Sequence, residues 1–417
     1  ALATGTNVTI ETSAAGAQPG DITLRADAHV STTSAASLTL NAHRNIVLNG
    51  TVTLGSGLLT LNAAQGTANS TAAAFYTATG GRLFVSTGSG NSTLSVVLNA
   101  GAGTGFTAAQ GAFIHKTGAG ALTLNGLVTL GGEARIRNEG SGMLTVAASI
   151  DVGTNALRLT GGGPDQNIHL SGVVSGTGSD QLNDHGPHLG PMAIVIDAVN
   201  FPSIVPTSVR ISGNNTFTGS VSAMASTIVE IAHNNALGNP TTSKSFRLTQ
   251  AQARLNGGIT VPGNVTWTLA GGNAGIESLA GSNRLSGSIF VGGNGYIRAD
   301  TGSTLTLAGN MTVGQGEEIG GGPQRGLTLT FSGSGTIDVT RFIRDVSGGT
   351  GTQTVRIGQA GQAGGLVTFQ QDNSYNGPTE VIAGTLQLRN GGRLGDPGPA
   401  DQTPTGGRSS GCISIRA

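Results

Sequence analysis

The tetrapeptide Leu38-Thr39-Leu40-Asn41 returns 21 residues later as Leu59-Thr60-Leu61-Asn62, and again as Leu122-Thr123-Leu124-Asn125. Between the first two copies lie Ile46-Val47-Leu48 and Val52-Thr53-Leu54. In most of these stretches two apolar residues flank one small polar residue, and Gly, Asn or Ala fill the gaps. Period-two alternation with β-branched residues reads as strand, and Gly/Asn punctuation reads as turn. Three short strands therefore fill one 21-residue unit. After Leu122 the pattern runs through Val128-Thr129-Leu130 and Ile136 to Leu144-Thr145-Val146, a unit of 22 residues. Later alternations include Leu157-Arg158-Leu159, Ile168-His169-Leu170, Leu305-Thr306-Leu307, Leu327-Thr328-Leu329 and Val355-Arg356-Ile357. No stretch carries a helical period.

Short strands repeated without helices predict an all-β, single-stranded parallel β-helix of about 21–23 residues and three strands per coil. Each strand would pair with its equivalent one coil away, at about 4.8 Å. The flanking apolar residues would point inward and the middle residue outward. At that period the chain would make roughly 18 coils. Sandwich domains in series would explain the density of turns, but not the period.

Composition removes several function classes. Glycine supplies 71 of 417 residues, more than twice its ordinary share of about 7%, yet it does not recur at every third position as collagen requires. Lys+Arg and Asp+Glu balance at 21 each. That balance excludes charge-driven disorder and binding of nucleic acid by phosphate neutralisation. The single cysteine, Cys412, allows no intramolecular disulfide. No run approaches the roughly 18 apolar residues of a membrane helix. Ala1–Asn7 has neither the basic segment nor the apolar core of a signal peptide.

A longer signature occupies the middle and end of the chain. Gly213-Asn214-Asn215-Thr216-Phe217-Thr218-Gly219 precedes Gly238, and Asp372-Asn373-Ser374-Tyr375-Asn376-Gly377 precedes Ala383-Gly384-Thr385-Leu386 and Gly395. Gly281-Ser282-Asn283-Arg284-Leu285-Ser286-Gly287 is a weaker copy. Gly219, Gly287 and Gly377 lie 68 and 90 residues apart, near three and four multiples of about 22.5. The long signature is in phase with the short one.

These residues resemble a known family. The runs 213–238 and 365–395 are similar to the autotransporter-associated β-strand repeat of bacterial passenger domains, and Lys116–Gly126 resembles the first half of that repeat. Residues 38–63 resemble coils of filamentous-haemagglutinin-type exoproteins. The resemblance implies a right-handed parallel β-helix exported to the surface of a Gram-negative cell. It also implies an outer-membrane translocator barrel as partner, and gives the low cysteine content a reason, ease of threading through a pore. With neither a barrel nor a signal peptide among these residues, the expectation is a passenger fragment or truncated product. Residues 1–396 are expected to form one continuous stalk with an irregular protruding loop at 179–206. The Pro-containing tail 397–417 is expected to be disordered or non-native.

Catalytic constellations are scarce, and no catalytic, cofactor or metal residue is assigned. Asp180 and Asp184-His185-Gly186-Pro187-His188 form one cluster of metal-ligating types, read as a solvated part of the loop. Gly162-Gly163-Pro164-Asp165 faintly resembles a calcium-binding nonapeptide, but it does not recur in tandem. His169 should face solvent by alternation. The competing class is a β-helical polysaccharide lyase or hydrolase, which needs clustered carboxylates and aromatic platforms. Glu317-Glu318 with Arg325, and Asp338, Arg341, Arg344 and Asp345, are its candidate neighbourhoods. A spacing near 22 would set Glu317 beside Asp338. Trp267, Tyr76, Tyr296 and Tyr375 are scattered, with no outward aromatic array. Outward Thr39, Thr60, Thr123, Thr145, Thr306 and Thr328 could order water only as an uninterrupted array. The expectation is a monomeric, non-enzymatic, adhesin-type stalk, surface-exposed or secreted, that meets a host-cell, matrix or glycan ligand through lateral faces and loops.

Overall fold

Alternating burial runs the length of the strands because each inward Leu, Ile or Val finds its equivalent from the next coil beneath it. A computed structural model of the protein describes residues 1–13, 15, 20–72, 75–79, 82–100, 112–132, 134–161, 167–178, 191–198, 207–224, 226–314, 326–346, 352–395 and 413–415. Among the described residues every element is a β-strand, apart from one 3-10 turn at Leu2–Thr4. Among the described residues the strand pairings are parallel and join one coil to the next, such as Leu38–Ala42 on Leu58–Ala63 in register Leu38↔Leu59. The chain is a parallel β-helix.

By its contacts the chain divides into two units, Ala1–Gln181 with Pro191–Gly219, and Leu182–Gly190 with Ser220–Ala417. In the first unit an inward ladder climbs Leu38, Leu59, Leu83, Ile114, Ile136, Leu159 and Ile196. None of the seven is more than 2% exposed. Burying each such side chain is worth about 1.5–3 kcal/mol, which is why the alternation holds register so firmly: a one-residue slip would turn the whole ladder outward. In the second unit the equivalent ladder is Phe246, Trp267, Ile289, Met311 and Ile343, with the Phe246 and Trp267 rings edge-to-face at 5.0 Å.

The coil length varies more than the sequence period suggests. Register steps of 21 to 24 residues, as from Leu38 to Leu59 and from Val229 to Ala253, are mixed with a shorter one of 19, Leu366↔Thr385, and with longer ones. Leu94↔Leu124, Leu170↔Ile211 and Ile297↔Phe331 are 30, 41 and 34 residues apart. The extra chain falls between paired strands in the sequence, so fewer coils form than the even division into roughly 18 supposes. Strand number per coil also varies. Nine-residue strands Ser92–Ala100 and Leu122–Leu130 pair along their whole length, and Leu122–Leu130 then covers two strands of the next coil, Leu144–Val146 and Ser149–Asp151.

Two expectations change. The segment 179–206 is not wholly loop, because Met192–Ala198 is a strand paired with Leu157–Gly161. Its run Met192-Ala193-Ile194-Val195-Ile196 is buried throughout, so it lacks the outward polar residue on which the alternation reading depends. The tail also carries order: Ile413–Ile415 adds a strand beside Thr379–Val381. The rest of both segments lies outside the described residues.

Each copy of the long signature places a buried asparagine four residues before its glycine. Asn215, Asn283 and Asn373 are 0%, 1% and 7% exposed. Their Oδ1 atoms accept the backbone N–H of Val174, Ile259 and Ile343 at 2.8, 2.7 and 2.7 Å. Two residues on, Phe217, Leu285 and Tyr375 fill the interior at 0% exposure. The glycines themselves are required by close approach and not by a left-handed backbone. A β-carbon on Gly287 or Gly377 would stand 1.8 or 2.0 Å from the carbonyl oxygen of Val265 or Gln353, and neither residue has positive φ.

Candidate functional site

Among the described residues, those singled out in the sequence do not converge. Asp338 faces outward between Thr306 and Thr368, and its Oδ1 accepts from Gln370 Nε2 at 2.7 Å. The position one coil before Asp338 is thus Thr306, 32 residues earlier, and not Glu317, because this coil carries an insertion. Glu317, Glu318 and Arg325 lie outside the described residues, as do Asp180, Asp184, His185, His188 and Gly162–Asp165. Asp338 also stands on a different sheet from Arg344 and Asp345, which belong to the strand Ile343–Asp345. There Arg344 turns outward, with its guanidinium 5.4 Å from the centre of the Phe342 ring. Asp345 is aligned with inward Val313, and burial pushes its carboxyl up to about 6, against the opposing donation of the Asn376 N–H. No group of three or more His, Cys, Asp or Glu capable of holding a metal occurs among the described residues.

His169 faces outward as expected, its Nε2 2.7 Å from Ser212 Oγ. The threonine rows are short. Thr39 and Thr60 stack, but Phe84 follows them, and Thr123 and Thr145 are followed by His169. Of the four polar aromatics, Trp267, Tyr76 and Tyr375 are wholly buried. Tyr296 alone faces outward, and a cavity opens beside it.

The cavity, about 540 Å³, lies on one lateral face of the second unit. Its floor is built from two outward rows of one sheet. One row runs Gln252, Gly275, Tyr296, Thr330 and Arg356. The other, two residues along each strand, runs Arg254, Glu277, Arg298 and Ser332. Absence of a side chain at Gly275 leaves a place for the Tyr296 ring, whose Cζ would stand 2.2 Å from any β-carbon there. The phenol hydroxyl donates to Glu277 Oε1 at 3.0 Å, and Arg254 Nε donates to Glu277 Oε2 at 2.8 Å. Both carboxylate oxygens of Glu277 are therefore held. Burial and then the neighbouring carboxylate push the Tyr296 phenol above its usual range, so it stays a neutral hydrogen-bond donor.

Other charges on this face are likewise paired. Arg298 Nε donates to Asp300 Oδ1 at 2.7 Å, and Arg356 gives two bonds, 2.9 and 2.7 Å, to Glu380 Oε2. Planar amides complete the lining: Gln252, Asn273, Asn294, Gln359 and Gln362. Asn294 Oδ1 is taken by the Thr328 N–H at 2.9 Å. What this arrangement can do chemically is bind. It presents one aromatic ring, guanidinium planes and amides that both donate and accept, while its one lining carboxylate is already engaged on both oxygens.

This face was missed in the sequence although its signal was in phase. Arg254, Glu277 and Arg298 alternate in sign at steps of 23 and 21 residues, and Gly275 precedes Tyr296 by 21. Compared with family models, curated proteins and solved structures, the chain matches none of them.

Proposed function

We propose that the chain is a passenger-type stalk, exported to a bacterial cell surface, that presents lateral faces for attachment and is not itself a catalyst. The observation that supports this most is the repeated anchor, an internal Asn four residues before a close-approach Gly, in all three copies of the motif that resembles the autotransporter-associated repeat. Such a unit is a device for stacking coils, with its Asn and the large residue two positions on both turned inside. Its partners on this reading are a translocator barrel for export and a host-cell, matrix or glycan ligand at the outer face.

Beads coated with the purified chain should adhere to cells or to an immobilised matrix, and the chain should release no reducing sugar from acidic or neutral polysaccharides. Sugar release abolished by Glu317→Gln would instead assign the chain to the polysaccharide-active β-helices.

A further inference from the structure

We propose that the lateral cavity around Tyr296 is a binding groove for an uncharged oligosaccharide. This inference goes beyond the passenger reading and does not depend on export.

Its shape is the first argument. The row from Gln252 to Arg356 crosses four inter-strand steps of about 4.8 Å, roughly 19 Å in all. The groove is therefore elongated along the stacking direction, as a linear chain of sugar rings is. Small-molecule pockets are mostly apolar, yet no residue lining this one is aliphatic. An apolar peptide side chain would find only the Tyr296 ring to replace its water. A sugar hydroxyl, which donates and accepts at once, meets groups of the same kind.

Free hydrogen-bonding capacity is the second argument. Among the described residues no partner takes the side-chain amides of Gln252, Asn273, Gln359 or Gln362, and all four line the cavity. Tyr296 supplies a ring for the apolar C–H face of a sugar, held against Gly275 by the bond to Glu277. A positioned, preorganised aromatic costs little entropy on binding.

Charge decides between neutral and acidic saccharides. Arg254, Arg298 and Arg356 are each matched by a carboxylate, Glu277, Asp300 and Glu380. Among the described residues the charges at the cavity fall into these balanced pairs, which offer no net positive field to a uronate or sulfated polymer. The guanidinium N–H groups not spent on these pairs remain available as neutral-ligand donors.

The test is calorimetry on the intact chain with glucan, galactan and N-acetylhexosamine oligomers, run beside oligogalacturonate, heparin fragments and unstructured peptides. A neutral oligomer should bind with little dependence on salt. Tyr296→Ala should weaken it about tenfold or more, the weight of an aromatic anchor. Because Gln359 and Gln362 are exposed, the double variant Gln359→Ala/Gln362→Ala should weaken binding while leaving the melting profile unchanged. Arg25→Ala, in the first unit, should bind as wild type. Preference for the anionic oligomers with steep salt dependence would overturn the proposal, as would preference for peptides. So would binding undiminished in both cavity variants, or no binding of any neutral oligomer at millimolar concentration.

Discussion

The Tyr296 ring occupies the space that a side chain at Gly275 would fill, one coil away in the same outward row. The three atoms nearest a β-carbon at Gly275 all belong to that ring. Gly275→Ala should therefore lift the ring and break its bond to Glu277, costing about 1 kcal/mol. In a Tyr296→Ala background the same change should cost almost nothing. A double-mutant cycle on the unfolding midpoint measures this coupling, and additive effects would show that the ring does not rest there.

The buried asparagines should be among the least replaceable polar residues in the chain. Asn283→Leu leaves the Ile259 N–H without its acceptor, and Asn373→Leu does the same to Ile343. Each should cost about 2–3 kcal/mol. Arg25→Ala, which removes an exposed ion pair with Asp27, should change stability by less than about 0.5 kcal/mol. Hydrogen exchange at the Ile259 and Ile343 amides should accelerate in the matching variant and not in the other.

Asp345 makes stability depend on acid in an unusual direction. Its folded carboxyl is raised from 3.8 to about 6, chiefly by burial, so folding favours the protonated form. The stabilising contribution is complete below 3.8 and is lost as pH rises through 6. Asp345→Asn, which is neutral at every pH, should be more stable than wild type at pH 7.5 by about 1–2 kcal/mol after solvent screening is allowed for. The gain should shrink toward pH 4. Thermal melts of both proteins across this range measure it.

Lys116 gives the opposite pH trend. Its side chain is inside the first unit, with Nζ donating to Gly118 O at 2.9 Å, and burial lowers its pKa from 10.5 to about 8. Folding favours the neutral amine, so its contribution is present above 10.5 and lost as pH falls through 8. Lys116→Met should therefore stabilise the protein at pH 7 by about 1–2 kcal/mol, with the gain disappearing near pH 10. An unchanged midpoint at pH 7 would mean the amine is not desolvated.

The fold was legible wherever one face of a strand meets water. Leu38, Leu40, Leu59 and Leu61 are buried and the threonines between them are not, so alternation marks both strand and register. It fails at Met192–Ile196, where both faces are buried and an apolar run carries no phase. The signature asparagines were visible as a motif, yet their role was not, because Asn at a turn and Asn inside a corner read alike. The Tyr296 cavity was hidden for a different reason. Coil length varies from 19 residues to 41, so counting a fixed period forward misplaces stacking partners, as it did for Glu317 and Asp338. Arg254, Glu277 and Arg298 lie where coils keep their basic length, and there a search for charge pairs at that step would have found the face.

The central claim is that this β-helix stands outside the cell that makes it. Protease added to intact producing cells, followed by immunodetection of the chain beside a periplasmic marker, tests it most directly. An exported stalk should be cleaved from intact cells while the marker survives. A chain that stays whole until the cells are lysed would contradict it.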